Sequence, residues 1–255
     1  MKELIRTLAV VILTIAPTSL MAQDWSYGIG TGLGAINVDG DSGFHTLLLG
    51  PIEFDASMDS DEITEVLKSA FAIGGYAKKD KLTISYAVSL LELDDGVSVE
   101  LSPGTGDLDI NFKTFFASVT VSYQIAQSGK HSFGILGGVR FSKQEYEVDF
   151  EIGTTPIFSR GVDDNWTDFV FGFTHAYQIS NSLVWNSILD IGEGDTEGTT
   201  HIDTGINWQF SDSFSARFFA SILDVDYQNG DPGDSDFYFY DAKETQVGVS
   251  LMYNF

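Results

Sequence analysis

His201 and Asp203 stand two residues apart, and in an extended chain side chains two apart share a face. Joined by Asp190 from a neighbouring segment, they would supply a general base with an orienting carboxylate. A hydrolase also needs a nucleophile and an oxyanion site. No Gly-x-Ser-x-Gly elbow occurs, and Ser187, the nearest serine in sequence, alternates onto the apolar side. Arg140 and Arg217 fall on the same polar side as Asp190, Asp203 and His201, with Asn186, Asn207 and Gln209. Guanidiniums enclosed in a narrow interior need carboxylates to offset desolvation, so Arg140 and Arg217 are expected to pair with Asp190, Asp203 or loop acids. That reading makes Arg140, Arg217, Asp190, Asp203 and His201 a structural network filling an interior, with a pore lining as the alternative and no catalytic residues.

Other constellations carry less. Asp163, Asp164 and Asp168, placed near a rim, resemble the paired acids of a water-activating protease, but the only loop histidine available to them is the distant His45. Asp224-x-Asp226-x-x-Asn229-Gly230 has one residue too many for a calcium-binding loop and lacks the closing Glu. Asp231, Asp234 and Asp236 are left as a weak site for Ca²⁺ or Mg²⁺, since hard oxygen ligands suit those ions. Gly30-x-Gly32-x-x-Ala35 matches a minimal dinucleotide fingerprint, yet Gly28, Gly30, Gly32 and Gly34 recur at period two with no helix to receive a phosphate. No cofactor is expected. Those glycines leave room for a large side chain or ease bending.

Period two also describes the elements that must position these residues. The chain ends Thr-Gln-Val-Gly-Val-Ser-Leu-Met-Tyr-Asn-Phe, with Val247, Val249, Leu251, Tyr253 and Phe255 on one face. Leu82, Ile84, Tyr86, Val88 and Leu90 alternate with Thr83, Ser85, Ala87 and Ser89, and Phe115 to Tyr123, Phe133 to Phe141 and Phe169 to Phe173 repeat the arrangement. About ten such segments, each near the roughly 9–11 residues that cross a bilayer at a tilt, predict an all-β chain. The architecture expected is a transmembrane antiparallel up-and-down β-barrel of about ten strands, with eight or twelve as alternatives. Tight links at residues 78–81, 127–130, 180–182 and 211–213 alternate with long ones, which puts both termini on the periplasmic side. His175 falls on the lipid face near that end. Residues 44–57 are open to an extra hairpin arm. Asp59 with Glu62 forms a capping-box pattern that starts a short helix in the first long loop, read as a surface helix in preference to a plug.

Residues 1–22 carry Lys2 and Arg6, an apolar run and Ala22, the layout of a signal peptide, which leaves residues 23–255 as the barrel domain. The 255 residues contain no Cys, which removes disulfides and thiolate chemistry. A net charge of −24 argues against nucleic acid as a partner and is ordinary for solvated acidic loops.

The chain resembles a largely uncharacterised group of outer-membrane β-barrel domain proteins of Gram-negative bacteria, about 250 residues long. The likeness is carried by Trp166-Thr-Asp168 with Gly172, Asp190-Ile-Gly192-Glu-Gly194, Gly205-Ile-Asn-Trp208-Gln-Phe210, Leu223-Asp-Val-Asp226-Tyr227 and the closing Gly248 to Phe255. It departs from the group at Ala216-Arg217-Phe218-Phe219-Ala220, where relatives show a Gly-Tyr-Arg-Tyr pattern. The resemblance implies location and architecture only: a barrel in the bacterial outer membrane. The partners expected of such a barrel are outer-membrane lipids and lipopolysaccharide and, through the strand ending in Phe255, the barrel-assembly machinery, with the protein a monomer. The expected role is a structural or surface-interaction protein or a narrow, porin-like channel for small solutes or ions. The alternatives are an enzyme acting on envelope lipid or peptide and a soluble periplasmic β-barrel binder.

Overall fold

Strict alternation of apolar and small or polar residues is what a sheet needs when one face meets lipid and the other an interior, and the chain satisfies it by closing on itself. The computed structural model describes residues 25–46, 50–93, 107–152 and 155–255; the expected leader and its cleavage point lie outside them. In chain order the elements are β1 (Ser26–Thr46), β2 (Gly50–Asp55), α1 (Ser60–Glu65), β3 (Leu67–Lys79), β4 (Leu82–Leu93) and β5 (Asp107–Ser128). There follow β6 (His131–Ile152), β7 (Thr155–Gln178), β8 (Leu183–Gly194), β9 (Gly198–Gln209), β10 (Phe214–Asn229) and β11 (Tyr238–Asn254). β1 and β3 to β11 pair antiparallel with their neighbours, and β11 pairs back onto β1 from Gly28–Asn254 to Phe44–Tyr238. The result is a closed ten-strand barrel. The eleventh strand, β2, is the expected hairpin arm, laid along the top of β1 from Asp41–Asp55 to Thr46–Gly50.

Outward positions carry the greasy band: Leu33, Phe71, Val119, Val121, Ile135, Phe169, Phe171, Phe173, Leu189, Phe218, Val247 and Leu251 are all exposed. Above it the same outward rows turn charged, at Asp39, Glu92, Lys113, Lys143, Glu193, Asp224 and Lys243. Trp185, Trp208, Phe210, Phe214, Tyr253 and Phe255 ring its lower edge, next to the tight links, as an interfacial girdle.

The upper half departs from the expected alternation of short turns and long loops. β8 and β9 are joined by residues 195–197 alone, whereas β6 and β7 run 22 and 24 residues, well beyond a bilayer crossing. β10 continues to Asn229, so Asp224 and Asp226, expected in a loop, belong to a strand. Outside the membrane a strand needs only one apolar face, and here that face looks inward. The extensions form two walls, β5–β6–β7 and β10–β11–β1–β2, which pack face to face above the membrane like a small sandwich.

α1 starts as the sequence predicts. Asp59 accepts from the backbone N–H groups of Asp61 and Glu62, and Glu62 accepts from that of Asp59. It is only six residues long and contacts β1, where Asn37 accepts from Ser60 N–H. Its buried residue, Ile63, takes no part in the interior cluster, so α1 is a rim helix, not a plug.

Candidate functional site: the lumen network and its aromatic lid

Inward rows of β6, β8 and β9 deliver the charged residues to mid-barrel. Arg140 on β6 reaches across β7 to Asp190 on β8, Nη2 to Oδ1 at 2.7 Å, and donates from Nη1 to Thr199 Oγ1 on β9 at 3.2 Å. The second carboxylate oxygen of Asp190 lies 2.8 Å from His201 Nδ1. Both members of the Arg140–Asp190 pair are buried, so each carries a large desolvation cost that only the other offsets. The reach of Arg140 depends on glycine: a Cβ at Gly172 would collide with the carbonyl of Leu189 and with Asp190, and one at Gly192 with Thr199.

Arg217 on β10 pairs with Asp203 on β9 and lies over the ring of Phe219, 5.3 Å from its centroid. Tyr76 donates to Asn254 Oδ1 nearer the periplasmic end, on ground cleared by Gly28, whose Cβ would strike the Tyr76 ring. The structure brings the five residues together as two separate sets, Arg140–Asp190–His201 and Arg217–Asp203. Asn186 and Asn207 line the same interior. Ser187 points outward and shares a hydrogen bond with Thr204 at 3.0 Å.

Two acids placed at the rim by sequence are interior. Asp168 is fully buried on β7, with Oδ1 accepting from Thr196 N–H and hydroxyl, while Oδ2 has no hydrogen-bond partner among the described residues. Asp164 accepts from the Tyr227 hydroxyl at 2.7 Å and from Asn229 at 3.0 Å, tying one wall to the other. Neither lies with His45, which is on β1. Among the described residues no three His, Asp or Glu side chains converge as a metal site. Within the Asp231, Asp234 and Asp236 turn, Asp234 is spent on the backbone N–H of Asp231.

Above the charges lies a layer that sequence reasoning missed. Phe44, Phe54, Tyr146, Trp166, Val225, Tyr227, Tyr238, Tyr240 and Ala242 are buried together between the walls. Trp166 stacks on Tyr227 with centroids 4.5 Å apart and on Tyr240 at 6.1 Å, and Tyr146 meets Phe54 at 6.2 Å and Tyr238 at 5.8 Å. Tyr238 donates to Gln144, and burial pushes the Tyr146 hydroxyl up to about 12, so the phenols stay neutral. The signal was present as the continued period-two pattern Tyr238-x-Tyr240-x-Ala242 and Val225-x-Tyr227, hidden by the acids between. The lid is sealed at one side by residues 195–197, where Asp195 accepts from Thr167 N–H and Glu197 N–H donates to Asp226.

A closed barrel with an apolar outer band, an aromatic girdle and an interior ion-pair network is a membrane-spanning barrel of the bacterial outer-membrane class. No protein-family model and no curated protein sequence matches the chain. Among solved structures it is similar to the outer membrane protease OmpT from Escherichia coli, at 9% identity and a TM-score of 0.60 over 94% of this chain and 99% of that one. It is also similar to the translocator domain of the autotransporter NalP from Neisseria meningitidis, at 8% identity and a TM-score of 0.40 over 100% and 95%. For Neisserial surface protein A the values are 10%, 0.37, 91% and 97%. At 9% identity the likeness to the protease is one of fold alone.

Proposed function

We propose that the protein is a non-conducting, non-catalytic outer-membrane barrel, whose two-walled head serves a structural or surface-interaction role. The observation that carries this reading is the aromatic lid: nine buried residues pack between the two walls in the extracellular half, above the Arg140–Asp190–His201 network. A channel would need a continuous wet path, and an aromatic layer held by cross-wall hydrogen bonds supports the reading without one. An enzyme would need a nucleophile beside the His201–Asp190 pair, and Ser187, the nearest serine in sequence, points outward to Thr204. The protease named among the fold's neighbours adds no site residue at 9% identity. A soluble binder is disfavoured by Phe169, Phe171 and Phe173, which stand outward at 64%, 68% and 64% exposure.

Planar-bilayer recording of the folded barrel tests the proposal. The wild type should be silent, and a Trp166→Ala, Tyr238→Ala double variant, which removes the two largest of the most deeply buried lid side chains, should show small steps. Reproducible steps from the wild type would end the non-conducting reading.

A further inference from the structure

β6 and β7 pair with His131 opposite Tyr177 and Phe133 opposite His175, so the two histidines lie diagonally on one outward face, at the periplasmic collar. His131 Nδ1 is 3.0 Å from His175 Nε2, with ring centroids 5.3 Å apart and planes 20° from parallel. Aromatic rings hold both imidazoles in place. Tyr177 lies 4.6 Å from His131, Phe133 lies 4.9 Å from His175, and Trp185 meets His175 edge-on at 6.0 Å.

We propose that His131 and His175 form a binding site for a divalent transition-metal ion, Cu²⁺ in preference to Ni²⁺ or Zn²⁺. Imidazole nitrogen is a ligand type that suits all three ions. The spacing suits one ion held by both nitrogens. Two nitrogens held at roughly 2.0–2.1 Å from a metal are roughly 2.8–3.0 Å apart across a right angle and roughly 3.3–3.4 Å apart across a tetrahedral one. The 3.0 Å of the hydrogen-bonded pair already lies close to the span that one metal ion bridges, and the Irving–Williams order places copper first among the three.

The proton count closes without an added base. In the metal-free pair one facing nitrogen donates to the other. Moving that proton to the outer nitrogen of the same ring leaves two lone pairs facing the metal, and no proton leaves the pair. The remaining coordination positions open to water at headgroup level. Because the aromatic neighbours fix the rings beforehand, binding forfeits little side-chain entropy. The site is independent of whether the lumen conducts and shares with that question only the barrel itself.

The test is a Cu²⁺ titration of untagged, detergent-folded barrel, read by calorimetry and by electron paramagnetic resonance, beside His131→Gln, His175→Gln and His201→Gln. The expected result is one Cu²⁺ per chain, with an axial spectrum and hyperfine structure from two nitrogens. Each of the first two variants should weaken binding by about tenfold or more, and His201→Gln should leave it unchanged. Zn²⁺ should bind about tenfold more weakly, and Cu²⁺ affinity should fall as pH falls, because the ligands must be deprotonated. Heat-modifiable gel mobility of each variant separates a lost site from a lost fold. Undiminished binding by folded His131→Gln, loss on His201→Gln instead, or no Cu²⁺ uptake by the wild type would each overturn the proposal.

Discussion

Arg140 concentrates the energetics of the lumen in one side chain. Its guanidinium touches Asp190 and Thr199, and Asp190 in turn holds His201. Removing one member of a buried pair leaves the other charged and unpaired, which costs about 3–5 kcal/mol. Arg140→Ala should therefore lower unfolding free energy in lipid vesicles by about that amount, read by tryptophan fluorescence against urea. A loss under about 1 kcal/mol would mean that water reaches Asp190 and that the pair is not structural. Gly172→Ala should be harmful in its own right, because the new methyl group meets the backbone of Leu189 and β7 cannot keep its register with β8. The pairing of Arg140 and Arg217 with Asp190 and Asp203 was legible in the sequence because alternation fixes the face of every strand residue. The burial of Asp164 and Asp168 was not, because a carboxylate on a strand extension looks the same in sequence as one in a loop.

At the scale of strands, the rim holds a strained row. Asp55 on β2 faces Asp41 on β1, which faces Asp241 on β11, which faces Asp226 on β10. Four carboxylates opposite one another on adjacent outward positions repel, and each such pair costs about 0.2–1 kcal/mol. The Asp226 carboxyl is pushed up by partial burial and by the nearby charges of Glu197 and Asp224. A carboxyl raised in the folded state binds its proton more tightly there than in the unfolded chain. Its contribution therefore favours folding at acid pH and is lost as pH rises through the folded value. Asp226→Asn should stabilise the barrel by a few tenths of a kcal/mol at pH 7, and the gain should vanish near pH 4. An equal effect of the substitution at both pH values would show that charge is not the cause. The same row explains why the sequence reads as loop here: strand extensions this acidic are unfavourable by their outward residues and exist because Val225, Tyr227, Tyr238 and Tyr240 pay the cost on the inward side.

For the whole molecule, closure depends on the seam between the first strand and the last. Tyr27 and Phe255 exchange backbone hydrogen bonds of 3.0 Å in both directions, and their rings stack with centroids 5.7 Å apart. Above them the β1–β11 ladder runs without a bulge to Phe44 and Tyr238, inside the lid. The seam is thus locked at its two ends by aromatic contacts, and removing the lower lock leaves most of the ladder intact. Deleting Phe255 should lower the stability of the refolded barrel by only about 1–3 kcal/mol, the scale of two backbone bonds and the aromatic contacts with Tyr27 and Tyr253. If the assembly machinery recognises this terminus, as we propose, the same deletion should reduce the heat-modifiable, membrane-inserted form in cells far more than that loss explains. Phe255→Tyr, which keeps both backbone bonds and the ring, then separates the roles: refolding in vitro should be unchanged, and any assembly defect in cells reports recognition of the terminal side chain itself. Equal, small effects of deletion in cells and in vitro would leave the terminus as a structural latch and place the assembly signal elsewhere on β11.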